Sequence, residues 1–384
     1  MQVVQALKDI QPSYIREILQ AASAPGVVSL AGGLPDEKYF PFNLIEESIS
    51  NLLSNPKLFQ YGETSGYKPL IEFVKEQYKI PIEHEAAICT GSQQALDLVA
   101  RAFLSAGDKV LMEAPSYLGA LQVFSLAQTE IVTIGQSEYG PNVTELERVF
   151  SSQNIKIFYG VPDFHNPTGL CWSLETRKQV AALCEKYKVT FLEDVPYREL
   201  RFYGERLPLV SSFCPDFSLV MRSFSKIATP GIRLGLVSGQ KEWVQALIKV
   251  KQAADLHSSI PMQSVLLDLI SHPNFPEYLS NLNKVYSGRY EFLCDQINSK
   301  LPKKFHHQPI QGGMFVWLQT PGIDVDQFAA MSLEMGVAVV PSSVFYPNNS
   351  GKDSPALRLN FTNSTKEELE IAADRLIQVI DKLN

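Results

Sequence analysis

Ser223-Phe-Ser-Lys226, followed by Gly231-Ile-Arg-Leu-Gly235, decides how the rest of the chain is understood. One lysine carries two hydroxyls just before it and an arginine, Arg233, seven residues after it. A strand-like run, Ser218-Leu-Val-Met-Arg222, leads in, and a second, Leu234-Gly-Leu-Val237, follows. A lysine at the end of a buried strand can lose its proton and attack a carbonyl. Hydroxyls and a guanidinium beside it can hold a phosphate. The combination suggests an aldehyde that also bears a phosphate. Pyridoxal 5′-phosphate (PLP) is such a molecule, with its aldehyde on Lys226 and its phosphate on Ser223, Ser225 and Arg233. Taken alone, the tetrapeptide fits a surface lysine in a serine-rich turn equally well.

Working outward, strands and helices alternate. The strands are expected at Ala87–Thr90, Lys109–Glu113, Glu130–Ile134, Lys156–Val161 and Val189–Asp194. Helical patterns fill the gaps at Ser92–Ser105, Tyr117–Leu126, Val143–Ser152 and Ser173–Tyr187. That rhythm predicts a mostly parallel sheet covered on both faces. Ligands of such sheets sit beyond the carboxyl ends of the strands. Thr90-Gly-Ser-Gln93, Asn166, Asp194 and Lys226 all fall there. Upstream, Ser13 is placed to cap a helix over Ser13–Leu19, and Val27–Ala31 reads as a short strand running into Gly32-Gly33. Helical patterns run from about Asn43 to Leu53 and onward from Lys68. After Leu256 the pattern changes. Helices are expected at Pro261–Ile270, Tyr278–Leu301, Asp324–Met335 and Lys366–Leu383. Short strands are expected at Met314–Leu318, Val337–Val340 and Ala356–Phe361. The remainder, Lys303 to Asn384, reads as a small α+β domain.

The bulk properties fit an enzyme with a large core. The chain has 384 residues, 45% of them hydrophobic and 20% charged. A net charge of −7 argues against a general partner for nucleic acid or anionic membranes. No apolar run approaches the roughly 20 residues that span a bilayer. The N-terminus lacks a basic segment followed by an apolar stretch, so no signal peptide is expected. Five scattered cysteines without a CxxC pair point to reduced thiols and a cytoplasmic location. The six histidines show no metal-binding spacing, and no metal is expected.

Several residues carry candidate chemistry, each with a plainer alternative. Thr90-Gly-Ser-Gln93 joins a strand to a helix, where free amides and the Ser92 hydroxyl can hold an anion; Ser92 is equally a common helix cap. The Asn166 amide can donate to a phenolate oxygen, although Asn166-Pro-Thr-Gly169 is also an ordinary turn. Asp194 ends an apolar strand and can pair with a protonated ring nitrogen, or cap a nearby helix. Tyr197, three residues on, can reach a ring oxygen. Tyr117 can stack on a flat cofactor or sit in the core. Arg358, within the apolar run Leu357-Arg-Leu-Asn360, requires a partner, either a substrate carboxylate or an internal acid.

In this order, Gly91-Ser-Gln, Tyr117, Asn166-Pro-Thr-Gly, Asp194-x-x-Tyr197, Ser223-x-Ser-Lys226, Arg233 and Arg358 resemble a fold-type I PLP enzyme of the class I/II aminotransferase family. The match covers almost the whole chain. Ser13-x-Ile-Arg-Glu-Ile-Leu19, Ser29-Leu-Ala-Gly-Gly-Leu-Pro35 and Gly312-Gly-Met-Phe315 are most similar to the branch of 2-aminoadipate, kynurenine and N-terminal-type lysine aminotransferases. The resemblance implies an α/β fold. A large PLP-binding domain, residues 44–280, would carry a mostly parallel seven-stranded sheet. A small α+β domain would be built from residues 1–43 and 281–384.

The resemblance also assigns roles. Lys226 is the Schiff-base lysine and the acid/base at Cα. Ser92, Gln93 (through its backbone), Ser223, Ser225 and Arg233 hold the phosphate. Tyr117 stacks on the ring, Asn166 and Tyr197 contact its hydroxyl oxygen, and Asp194 pairs with its nitrogen. Arg358 takes the α-carboxylate. Tyr61 reaches the phosphate of the neighbouring subunit, which implies a homodimer. Gly33 and Arg16 belong to the segment that covers substrate. Two positions depart from the branch: His165 stands where Gln is frequent, and Val195 stands where a second acid is common.

The implied activity is transamination from an α-amino acid to a 2-oxo acid, 2-oxoglutarate by expectation, in a ping-pong cycle. 2-Aminoadipate, glutamate, aromatic, branched-chain and lysine donors all stay open; Arg16 would engage a distal carboxylate, favouring 2-aminoadipate or glutamate, or simply an ion pair on the helix surface. A β-eliminating PLP lyase of the same fold would share every cofactor contact. A non-enzymatic effector-binding module, as in regulators that fuse this fold to a winged helix, would need a DNA-binding unit, and residues 1–26 are too short for one.

Overall fold

The computed structural model describes residues 1–4, 7, 14–347 and 354–383. Ser13 lies outside them, as does the side chain of Arg16; the first described helix runs Tyr14–Ala22. β1 (Val28–Ser29) follows it. The main sheet contains β2 (His84–Cys89), β3 (Lys109–Ala114), β4 (Glu130–Ser137), β5 (Gly140–Pro141), β6 (Ile155–Gly160), β7 (Thr190–Asp194), β8 (Ser218–Ser223) and β9 (Gly235–Gln240). Their spatial order is β2-β9-β8-β7-β6-β3-β4-β5. Strands β8, β7, β6, β3 and β4 are mutually parallel. Strand β9 runs antiparallel to both neighbours, β2 and β8.

This topology positions the site. The carboxyl ends of β2, β3, β6, β7 and β8 share one edge of the sheet. Because β9 runs the other way, its first residue lies at that same edge, paired with both Cys89 and Ser223. Arg233 is thereby delivered beside Lys226. The inward-facing residues of β6 to β8, such as Phe158, Leu192 and Met221, are fully buried between helical layers, as strands covered on both faces require.

The expected mostly parallel sheet is present. It holds the seven expected strands plus β5, a two-residue antiparallel edge too short to leave a periodic trace. The helix Lys241–Ala254 has no counterpart in the sequence expectations. Its buried face runs Val244, Leu247, Lys251, so a lysine interrupts the apolar stripe that marks a helix.

The later chain forms a 26-residue helix, Phe275–Lys300, and an antiparallel three-stranded sheet. That sheet is β10 (Phe315–Gln319), β13 (Ala356–Asn360) and β12 (Val340–Pro341). The expected single strand Val337–Val340 is split. Its first part, β11 (Val337–Ala338), pairs instead with β1, which draws the two ends of the chain together. The closing helix runs Lys366–Leu383. No helix among the described residues is long and apolar enough to cross a membrane.

Candidate active site

A cavity of about 330 Å³ opens at the carboxyl edge of the main sheet. Its wall includes Ser92, Gln93, Tyr117, Asn166, Asp194 and Tyr197. Ser223, Ser225, Lys226, Arg233, Arg358 and Gly33 complete the set of sequence candidates it gathers. Two candidates are not among them. Tyr61 is 80% exposed and packs edge-on against His257, with ring centroids 5.9 Å apart. The Arg16 side chain lies outside the described residues.

One end of the cavity is built for an anion. Strand β2 stops at Cys89, and the helix Ser92–Phe103 starts after a sharp turn at Gly91, whose φ is +77°. Gly91 is the N-cap, so Ser92 is the first helical residue and not the cap. With no side chain capping it, the helix presents first-turn amides that have no carbonyl partners of their own. Strand β9 presses against this turn: a Cβ at Gly235 would come within 2.6 Å of the Ser92 nitrogen. Arg233 sits above it in a left-handed conformation, φ +56°, with no acidic partner among the described residues. Behind the turn, Thr90 and Gln94 join Asp255, Lys251 and Ser258 in a hydrogen-bonded network. Lys251 is 1% exposed and lies 2.9 Å from the Asp255 carboxylate, which fixes the turn from beneath.

The opposite end holds groups suited to a planar ring. The Tyr117 hydroxyl donates to Gln93 Oε1 at 3.0 Å. Asn166 Nδ2 donates to the Tyr197 hydroxyl at 3.3 Å. Asp194 is the telling residue. Its Oδ2 accepts from the Tyr159 hydroxyl at 2.9 Å, whereas Oδ1 is buried without a partner. Burial pushes the Asp194 carboxyl up to about 7, against the lowering effect of Tyr159. A buried carboxylate oxygen without a donor is costly, and a protonated ring nitrogen would satisfy it. Tyr159 was missed by sequence reasoning: in the apolar run Lys156–Val161 it looks like core. Its only signal is a polar tip two residues from the end of a ligand-edge strand.

Two cations face each other across the remaining space. Lys226 donates to the Gly33 carbonyl at 2.8 Å. Burial, then repulsion from Arg233 and Arg358, lowers its ammonium to about 8, which brings the neutral amine closer to reach at physiological pH than in an ordinary lysine. Arg358 is 1% exposed. It donates to Asn166 Oδ1 at 3.0 Å and to the Ala31 carbonyl, while its Nε has no acceptor. The rings of Phe315 and Phe345 lie 4.4 and 5.1 Å from the guanidinium carbon. Burial lowers its value to about 10, with Tyr197 and Tyr117 acting the other way. No carboxylate partners it among the described residues. The expected alternative, an internal ion pair, is absent there.

The segment 30–36 thus lends a carbonyl to each cation. It is held by Leu30 to Ala338 and Asn360 to Leu30 backbone bonds, by Thr362 Oγ1 on the Leu34 carbonyl at 3.0 Å, and by a buried Asp36–Arg289 ion pair at 2.7 Å. Of the two departures, His165 is buried and neutral: its imidazolium is pushed down to about 3 by burial, and Nδ1 lies 2.9 Å from Thr168 Oγ1. Val195 is 1% exposed and donates its amide to the Met221 carbonyl. Neither removes a group from the cavity.

Comparison with known proteins shows the family. The profile of the family Aminotransferase class I and II matches residues 27–376. A 2-aminoadipate transaminase of Thermus thermophilus is 35% identical, covering 96% of this chain and 93% of that protein. Aromatic-amino-acid aminotransferase 1 of Thermococcus litoralis is 32% identical over 97% of this chain and 92% of its own. Among solved structures, a kynurenine aminotransferase of Pyrococcus horikoshii in complex with PMP superposes with a TM-score of 0.94. It is 30% identical, covering 99% of this chain and 97% of that one.

Proposed function

The chain belongs to the class I and II aminotransferases and works with pyridoxal 5′-phosphate; from that premise we propose how its residues divide the work and which substrates it takes. Lys226 would hold the cofactor's aldehyde carbon. The Ser92 and Gln93 amides, with Ser223, Ser225 and Arg233, would hold its phosphate. Asp194 would pair with the ring nitrogen, Asn166 and Tyr197 with the ring oxygen, and Tyr117 would stack on the ring. Bound there, the cofactor supplies an electron sink that makes the substrate Cα–H acidic.

The single observation that carries the substrate reading is Arg358, a buried guanidinium without a carboxylate partner among the described residues. It would grip the α-carboxylate of an amino acid bidentately. This grip fixes Cα within reach of Lys226, which takes the proton as a neutral amine and returns it without diffusing. Leu19 and Leu34 line the cavity, and such an apolar wall would favour aromatic or branched donors. Gly33 and Leu34 belong to the held segment 30–36 that would cover the donor. Arg16, on the same helix as Leu19, would select a distal carboxylate if it turns inward. 2-Oxoglutarate would be the acceptor, entering the same cavity after the donor's oxo acid has left.

Three further assignments belong to this reading. Tyr61, exposed and outside its own cavity, would reach the phosphate site of a second copy in a homodimer. The five cysteines are unpaired, which supports a cytoplasmic setting. The domain division 44–280 against 1–43 with 281–384 is supported by the pairing of β1 with β11.

The test is steady-state kinetics with a panel of donors against 2-oxoglutarate. Parallel double-reciprocal lines and borohydride labelling of the Lys226 peptide are the expected results. Ammonia release that needs no oxo acid would point to the β-eliminating lyase instead.

A further inference from the structure

Strand β8 has two faces. Leu219 and Met221 pack beneath the helices Ser92–Phe103 and Lys241–Ala254. By alternation, Ser218, Val220 and Arg222 point the other way, into a separate cavity of about 660 Å³. This second cavity shares no lining residue with the first. Four basic side chains border it: Lys79, Arg198, Arg206 and Arg222. No aspartate or glutamate does.

Cations around it outnumber the acids that serve them. Arg177, Arg198 and Arg201 share the carboxylate of Asp163. Arg206 and Arg222 share that of Glu199. Five guanidiniums therefore divide two carboxylates. Glu193 is taken by the amides of Val210 and Ser211 at 2.9 and 2.8 Å, and burial pushes its carboxyl up. Arg222 is 6% exposed, and its guanidinium carbon lies 4.0 Å from the centre of the Tyr78 ring. Its Nη1 is 3.7 Å from Glu199, too far for a hydrogen bond, and has no other acceptor. A cation so placed is under-neutralised. Burial, and behind it the charges of Arg198 and Arg222, depress the guanidinium of Arg206, which Glu199 only partly offsets. Ile80, Leu207 and Leu209 supply apolar wall.

We propose that this cavity is a second anion site, distinct from the cofactor cavity, for a small organic molecule with one oxyanion group and an apolar body. The carboxylate or phosphate engages Arg206, Arg222 and Lys79, and the body lies against Leu207 and Leu209. Planar guanidiniums suit either headgroup, so the headgroup is left to experiment.

The test is titration calorimetry on the intact holoenzyme with three probes: inorganic phosphate, phenyl phosphate and benzoate. One saturable site per chain is expected for phenyl phosphate or benzoate, and the tighter of the two identifies the headgroup. Arg206→Gln and Lys79→Gln alter exposed side chains. Together they are expected to weaken binding about tenfold or more. Arg358→Leu, which disables the substrate cavity, is expected to leave it unchanged. Absence of a saturable site would overturn the proposal. So would binding that survives the double substitution and disappears in Arg358→Leu, since it would belong to the substrate cavity. Equal affinity for inorganic phosphate and phenyl phosphate would remove the apolar body from the assignment.

Discussion

Arg358 and Arg177 are both fully buried arginines, yet they live under opposite conditions. Arg177 donates to the carbonyls of Trp172, Pro162 and Pro208, and lies 2.9 Å from the Asp163 carboxylate. Burial alone would raise that carboxyl, but Arg177 and Arg198 hold it below the usual range. Arg358 has carbonyl and amide acceptors, one unpartnered nitrogen and no described acid. The same side chain serves two purposes. Paired in full, it ties together the loops that follow β6 and β7. Left short of a counter-charge, it is a binding group waiting for one.

That contrast can be broken or sharpened by substitution. The largest effect is expected in the cavity itself. Lys226→Ala removes the amine that moves the Cα proton, and turnover should fall by about 10⁴-fold, with no borohydride label at position 226. Arg177→Leu tests the paired side. It strips a buried carboxylate of its main partner and should cost about 3–5 kcal/mol in denaturant unfolding, while kcat of the folded fraction stays unchanged. Arg358→Leu should do the reverse. Its kcat/KM should drop by about 2–5 kcal/mol in transition-state terms, with thermal stability unchanged or raised because an unpaired buried cation is gone. If Arg358→Leu instead unfolds the protein and Arg177→Leu does not, the distinction between the two arginines is wrong.

Smaller effects are expected at Asp194. Asp194→Asn should weaken cofactor binding by about 1.5–3 kcal/mol, measured as the dissociation constant for added cofactor. The second effect expected at Asp194 is a pH dependence of the cofactor-free protein. In the folded state the Asp194 value is about 7, above its ordinary 3.8. A raised acid contributes stability that is full below its unfolded value and is lost as pH rises through the folded one. The wild-type Tm should therefore fall relative to Asp194→Asn between about pH 4 and pH 7, and stay level outside that window.

The comparison also explains what could be read from the sequence. Lys226, Asp194 and Arg358 stood out because each is a charge at the end of, or inside, an apolar run, and a parallel sheet gathers strand ends at one edge. Tyr159 did not stand out, because its partner is 35 positions away and its neighbours are apolar. The helix Lys241–Ala254 was hidden by Lys251, whose burial depends on Gln94, Asp255 and Ser258. The basic cavity behind β8 was equally hidden. It draws Lys79, Arg198, Arg206 and Arg222 from three separate stretches, and only the folded sheet reveals that they outnumber the acids beside them.

The bond between Arg358 and the Ala31 carbonyl joins residues 327 positions apart. During synthesis the main sheet and Lys226 are already made when translation has passed Gln240, the last residue of β9. The arginine that would grip an amino acid arrives near the end, and it docks on a segment made near the start. A chain that stops short of residue 358 would therefore carry Lys226 but lack the guanidinium that lines the other side of the cavity.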